Sequence, residues 1–273
     1  MIVSGDSLTD ASRRKQISTI EYLEEDFEPM PEGDKQRRNL SYTTEALRLW
    51  FEPEENVYVS GNLFIFYEEN NPDKKIAPDT FVVFGMSSED RLSYKIWEEG
   101  GRVPDFVLEI TSKGTVRKDR DENPLIYRAL GVKEYFQYDP SGDYLKPKSL
   151  QGMRLEKGNY VAIPYEMRPA ASSTSPNGLL SLHSEVLGLD LRLYPDKKFR
   201  FFDPKSNQIL RSYAEAEQDR LQAEAIATQE RAIALQERQE KLQERQEKLQ
   251  ERQEKERLAA YLRSIGINPD EIP

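Results

Sequence analysis

Two Pro-Asp pairs each open a short apolar run, and the second run carries a glutamate in its middle. Asp79 begins the run in APDTFVVFG, Asp105 begins VPDFVLEITSK, and Glu109 sits inside that second run. Two carboxylates on the edges of adjacent strands can hold a hard ion such as Mg²⁺, which keeps positions for waters and a substrate phosphate. Such an ion lowers the pKa of a bound water and stabilises charge on a phosphoryl oxygen. A nearby lysine would orient the water or stabilise the developing anion. Asp79 also reads as a plain strand-edge acid held by loop backbone. Glu109 is harder to dismiss, because a glutamate within VLEIT is costly to bury without a partner or a metal. On residue chemistry alone both readings stay open.

The elements that must position these acids follow from the pattern around them. Ala77 to Phe84 reads as a strand, and Val103 to Thr111 as a central strand buried on both faces. KGTVRKDRDEN is polar and reads as solvent-facing. Pro124 suits a first helical turn, PLIYRAL continues the helix and Gly131 stops it. Glu134 to Tyr138 is the next strand, so strand, crossover helix and strand predict a parallel pair in a mixed sheet. Upstream, SYTTEALRLWF (41–51) predicts a helix with Leu47, Trp50 and Phe51 toward the core. NVYVSGNLFIFY (56–67) predicts one bent strand or a hairpin. SSEDRLSYKIWEEGGR reads as a loop with one buried Trp, or as a cover over a cleft. From Gly142 to Asp203 short segments separated by Gly, Pro, Asn and Asp predict β-hairpins.

The ends differ in composition. Residues 1–30 are polar and loosely ordered by expectation, with Ile20, Tyr22 and Leu23 as anchors. Residues 31–210 form the expected globular domain, and 211–273 a helical tail. QERQEKL occurs twice over 236–249, and Leu221, Leu235, Leu242 and Leu249 are spaced at multiples of seven. That is a heptad pattern, although Gln239, Gln246 and Gln253 weaken its second seam position. A two-stranded coiled coil and a solvated single helix both remain open.

Composition narrows the chemistry. The 273 residues include no cysteine, which excludes disulfides and thiolate sites. The single histidine, His183, argues against a His-based zinc site or a triad and reads as a structural residue. No apolar run approaches the roughly 20 residues that span a bilayer, so a cytoplasmic protein without a membrane partner is expected. The net charge of −10 argues against a surface built for general DNA binding, although part of it lies in the tail.

PDTFVV, PDFVLEITSK and YRALGVKEYFQYDP, together with NLFIFYEE, KIWEEG and GDYLKPKSLQGMRL, resemble the Uma-two family over roughly residues 40–200. That family comprises restriction-endonuclease-like proteins of the PD-(D/E)XK superfamily. The resemblance implies a mixed α/β (α+β) restriction-endonuclease-like core with β-hairpin additions and a long C-terminal helix. It implies Mg²⁺-dependent (or Mn²⁺-dependent) hydrolysis of DNA, with Asp79, Glu109 and the Ile110 carbonyl on the metal. Asp105 is a candidate for supporting those ligands from behind without binding the ion itself. The superfamily lysine two residues after the glutamate is replaced by Thr111. The position used instead in this branch, four residues before Tyr127, is Asn123, which cannot carry positive charge. Lys113 is the expected catalytic substitute and Lys118 a further one, while both also read as solvated loop lysines. The alternative expectation is a catalytically impaired nuclease-fold module acting through its coiled-coil tail, with a homodimer possible through the domain or the tail.

Overall fold

A computed structural model describes Tyr22 and residues 34–168 and 178–266. The expected anchors Ile20 and Leu23, the AASSTSPN loop and the chain beyond residue 266 lie outside these. The chain runs through α1 (Asp34–Phe51), β1 (Val57–Ser60), β2 (Ile65–Phe66), β3 (Lys75–Ile76), β4 (Thr80–Phe84) and β5 (Tyr94–Lys95). Then come β6 (Phe106–Ile110), a π-helical turn (Lys118–Glu122), α2 (Asn123–Leu130) and β7 (Glu134–Tyr138). It continues with β8 (Leu150–Glu156), β9 (Asn159–Ala162), β10 (Tyr165–Arg168), β11 (Leu179–Ser184), β12 (Leu189–Leu193), β13 (Phe199–Asp203) and β14 (Gln208–Ile209). The last described element is α3 (Tyr213–Ser264).

The main sheet has six strands in the order β1-β4-β6-β7-β8-β9, and β6 and β7 are its parallel pair. Helix α2 crosses between them, as the strand–helix–strand pattern predicts. Gly131 ends α2 in the left-handed region at φ 89°, where a residue without a Cβ is unstrained. Every residue of β6 is buried, so the central-strand reading holds. Alternation along it decides what each face receives. Phe106, Leu108 and Ile110 join a core shared with α1 and a five-stranded antiparallel sheet, β10 to β14. Val107 points the other way, to a second core with Tyr127, Val132 and Tyr135 under the small β3-β2-β5 sheet. Period two therefore directs Glu109 to this second face.

Several sequence expectations are corrected. The first helix begins at Asp34, because DKQRRN is rich in good helix formers. Leu47 and Phe51 are buried, but Trp50 lies off their stripe and is 38% exposed. NVYVSGNLFIFY is neither one strand nor a hairpin. Asn62 takes a positive φ of 50°, and the chain passes from the main sheet at β1 to the small sheet at β2. The stretch from Ser87 to Arg102 contains β5, and its fully buried aromatic residue is Tyr94. Trp97 is half-buried beside Tyr22, which also packs edge-on against Phe66, so Tyr22 is an anchor. KGTVRKDRDEN is not wholly solvent-facing, since it buries Asp119.

The chain divides into two compact units, 1–213 and 214–273. In the second, α3 is a long helix whose seam leucines, Leu221, Leu235, Leu242 and Leu249, are all exposed. Ion pairs one turn apart, such as Lys248–Glu244 and Arg252–Glu256, run along its surface.

Candidate active site

Asp79 reaches Glu109 because β4 and β6 are antiparallel neighbours, with Thr80 opposite Leu108. The two residues clasp each other through backbone. The Asp79 N–H donates to Glu109 Oε2 at 3.0 Å, and the Ile110 N–H donates to Asp79 Oδ2 at 2.6 Å. The turn after β1 braces this corner. The Asn62 N–H donates to the Pro78 carbonyl at 2.9 Å, and a Cβ on Gly61 would stand 2.1 Å from the Asp79 carbonyl oxygen. Only a glycine allows that approach.

The other half of the site comes from the crossover. Asp119, Asn123 and Tyr127 are spaced by four, which places them along one helical face. The Tyr127 hydroxyl donates to Glu109 Oε1 at 2.7 Å. Asn123 Nδ2 donates to Glu109 Oε1 at 3.2 Å and to Asp119 Oδ1 at 3.3 Å. The π-helical turn tucks Asp119 under β7, where Tyr135 and Gln137 donate to its backbone carbonyl at 2.6 and 2.7 Å. Asp119 Oδ2 and Thr111 Oγ1 are buried and make no well-aligned hydrogen bond among the described residues, although the Thr111 hydroxyl lies close enough to Asp119 to stabilise its charge.

Electrostatically the site is strained toward negative charge. Burial pushes the Glu109 carboxyl well above the usual carboxylate range, and the charges of Asp79 and Asp119 push it further. The Tyr127 hydroxyl and the Asp79 N–H oppose this only in part. Burial likewise raises Asp119 to about 6, against the pull of the Thr115 and Thr111 hydroxyls and the Lys118 charge. Tyr127 and Tyr135 are raised well above ordinary phenols, first by burial and then by the Glu109 charge.

Thus Asp79, Glu109, Ile110, Thr111 and Asn123 gather at one place, and the Ile110 carbonyl accepts from Gln36 Nε2 of α1 at 3.4 Å. Asp105 does not join them. It lies at the other end of β6, about 13 Å along the strand, accepting from the Phe84 N–H at 2.8 Å and pairing with Lys133 at 2.7 Å. Lys113 and Lys118 are exposed on the segment after β6, and neither pairs with an acid among the described residues. His183 is a structural partner of Asp190, with Nδ1 2.9 Å from its carboxylate, in the second sheet. Asp119, Gln137 and Gln36 were not singled out from the sequence. The four-residue spacing from Asp119 to Tyr127 was the available signal for the first.

A hard cation fits this donor set. The available atoms are carboxylate, carbonyl and hydroxyl oxygens, and a buried carboxylate raised this far is relieved by positive charge. Among the described residues no three acidic or imidazole side chains form a ready metal cage. A cation would therefore use Asp79, Glu109 and the Ile110 carbonyl and complete its shell with water.

A family model described as "Putative restriction endonuclease", Uma2, matches residues 8–190. The chain belongs to the Uma2 family. The matched stretch takes in all six strands of the main sheet and the whole acidic cluster, so the Uma2 domain is a restriction-endonuclease-like mixed α/β fold. The 52-residue α3 lies beyond the match. Among solved structures the chain is similar to one titled as that of "a putative nuclease belonging to DUF820 from Anabaena variabilis ATCC 29413". The identity is 18%, with 53% of this chain and 75% of that chain covered and a TM-score of 0.37. No curated protein matches.

Proposed function

We propose that this Uma2 protein is a metal-dependent endonuclease that hydrolyses DNA phosphodiester bonds in the cytoplasm. The observation that carries the reading is Glu109, a buried carboxylate facing Asp79 across two central strands and raised toward neutrality by burial and neighbouring acids. Mg²⁺ or Mn²⁺ bound by Asp79, Glu109 and the Ile110 carbonyl would supply Lewis acidity and a more acidic bound water. Tyr127 and Asn123 fix the Glu109 carboxylate by donating to Oε1, and the clasp with Asp79 fixes Oε2. Lys113, exposed four residues beyond Glu109, is the cation we assign to the substrate phosphate.

A plasmid-nicking assay with Mg²⁺, comparing the native chain with Glu109→Ala, tests this. Nicking that disappears with Glu109 supports it, and equal cleavage by both proteins ends the site.

A second reading is favoured by Asn123, a neutral amide that spends its Nδ2 group on Glu109 and Asp119. In that reading the domain is catalytically impaired and acts in binding or assembly, with self-association through the exposed leucine seam of α3. It expects near-zero nicking that rises sharply in Asn123→Lys. It also expects a dimer mass by light scattering that falls to one chain when residues 212–273 are deleted.

A further inference from the structure

The leucine seam of α3 is charged along one side only. Leu235, Leu242 and Leu249, 51–58% exposed, each have an arginine four residues before and another three residues after. That spacing lines Arg231, Arg238, Arg245 and Arg252 along one flank of the seam. The other flank is neutral, because Gln236, Gln243 and Gln250 occupy it. Acids elsewhere on the helix have partners of their own. Lys248 pairs with Glu244 at 2.5 Å, and Gln236 and Gln243 donate to Glu240 and Glu247 at 3.0 and 3.1 Å. Arg231, Arg238 and Arg245 have no acid three or four residues away in either direction, and they form no ion pair among the described residues.

Flank residues face each other across two coiled helices and set the choice of partner and its orientation. In a parallel pair the arginine flank meets the opposite flank of its partner, and in an antiparallel pair it meets the same flank. A second copy of α3 would therefore offer glutamine in the first case and arginine in the second. Neither gives an ion pair, and the second sets like charges together. We infer that α3 docks a helix of a different chain, one whose apolar seam is flanked by Glu or Asp that pair with Arg231, Arg238 and Arg245. The seam leucines supply contact area, and the arginines supply the selection. The inference takes from the second reading only that the tail docks, with a different occupant, and it stands whether or not the domain cleaves DNA.

Two labelled synthetic peptides of about four heptads test it, alike in a leucine and valine seam but flanked by glutamate in one and lysine in the other. Titrated with the full chain and read by fluorescence anisotropy, the glutamate peptide should bind at least about tenfold more tightly than the lysine peptide. The preference should shrink as salt is raised. A triple variant, Arg231→Glu, Arg238→Glu and Arg245→Glu, should reverse it, and the triple change to Gln should abolish it without reversal. If circular dichroism shows that the glutamate variant loses helix, the Gln variant decides. Equal affinity of the native chain for both peptides overturns the inference. So does binding of neither, including the case in which the same arginines retain duplex DNA instead. A native chain that is a dimer by light scattering and falls to one chain in Leu242→Asp also overturns it, because a second copy then occupies the seam.

Discussion

Asp119→Asn should make the cation-free protein more stable, although it removes a residue of the candidate site. In the folded chain burial raises this carboxyl from 3.8 to about 6. The unfolded chain gives up the proton near the lower value, so from about pH 4 to pH 6 the unfolded state binds fewer protons than the native one. Native stability therefore falls as pH rises through that window and stays lowered above it. At roughly 1.4 kcal/mol per pH unit the penalty at neutral pH is about 3 kcal/mol. Asparagine removes it. Its carbonyl can still accept from Asn123 Nδ2, and its amide brings a donor toward the buried Thr111 hydroxyl. Urea unfolding in EDTA at pH 7.5 should show the variant about 2–3 kcal/mol more stable, with the gain gone at pH 4. No gain at pH 7.5, or a gain that persists undiminished at pH 4, would refute burial of an uncompensated charge.

Gly61→Ala should cost at least 2–3 kcal/mol in urea unfolding and weaken Mn²⁺ binding, because the new Cβ meets rigid backbone at the Asp79 carbonyl. Tyr127→Phe removes a 2.7 Å hydrogen bond to a buried carboxylate, worth about 1.5–3 kcal/mol when Glu109 is ionised. The pH midpoint of Mn²⁺ affinity should then move upward in a titration from pH 5 to 9. Asp139 accepts from Ser141, Gly142, Tyr144 and Leu145, and these bonds hold it below 3.8 despite the upward pull of burial. Its contribution is full above that value and lost as pH falls below it. Asp139→Ala should cost about 3–5 kcal/mol at pH 7, with the cost shrinking as the pH is lowered through the folded carboxyl's titration, measured by thermal melts.

The parts legible in the sequence were those in which local pattern and tertiary placement agree. An uninterrupted apolar run made β6 a central strand, and Pro124 and Gly131 bracketed α2, so the parallel pair followed. Glu109 stood out because a carboxylate within such a run needs a reason. Asp119 did not, because it sits among Arg117, Lys118, Arg120 and Asp121, which are exposed. Only the π-helical turn, together with Tyr135 and Gln137 from β7, turns that one residue inward. Gln36 was hidden for another reason: its contact with Ile110 spans 74 residues and depends on how α1 lies on the main sheet. Tyr42 makes the same point, since its hydroxyl donates to the Leu210 carbonyl and accepts from the Phe201 N–H, where no local pattern could place it.

The repeated heptads of α3 make helix length an adjustable quantity. Each QERQEKL unit adds seven residues, about 10 Å of helix. It also returns the leucine seam to nearly the same azimuth, because seven residues are close to two full turns. Gain or loss of one whole unit therefore lengthens or shortens the rod without rotating its apolar face out of phase. A deletion of one residue would turn that face by about 100°. The tail is a ruler graduated in heptads, tolerant of changes in its count and intolerant of fractions.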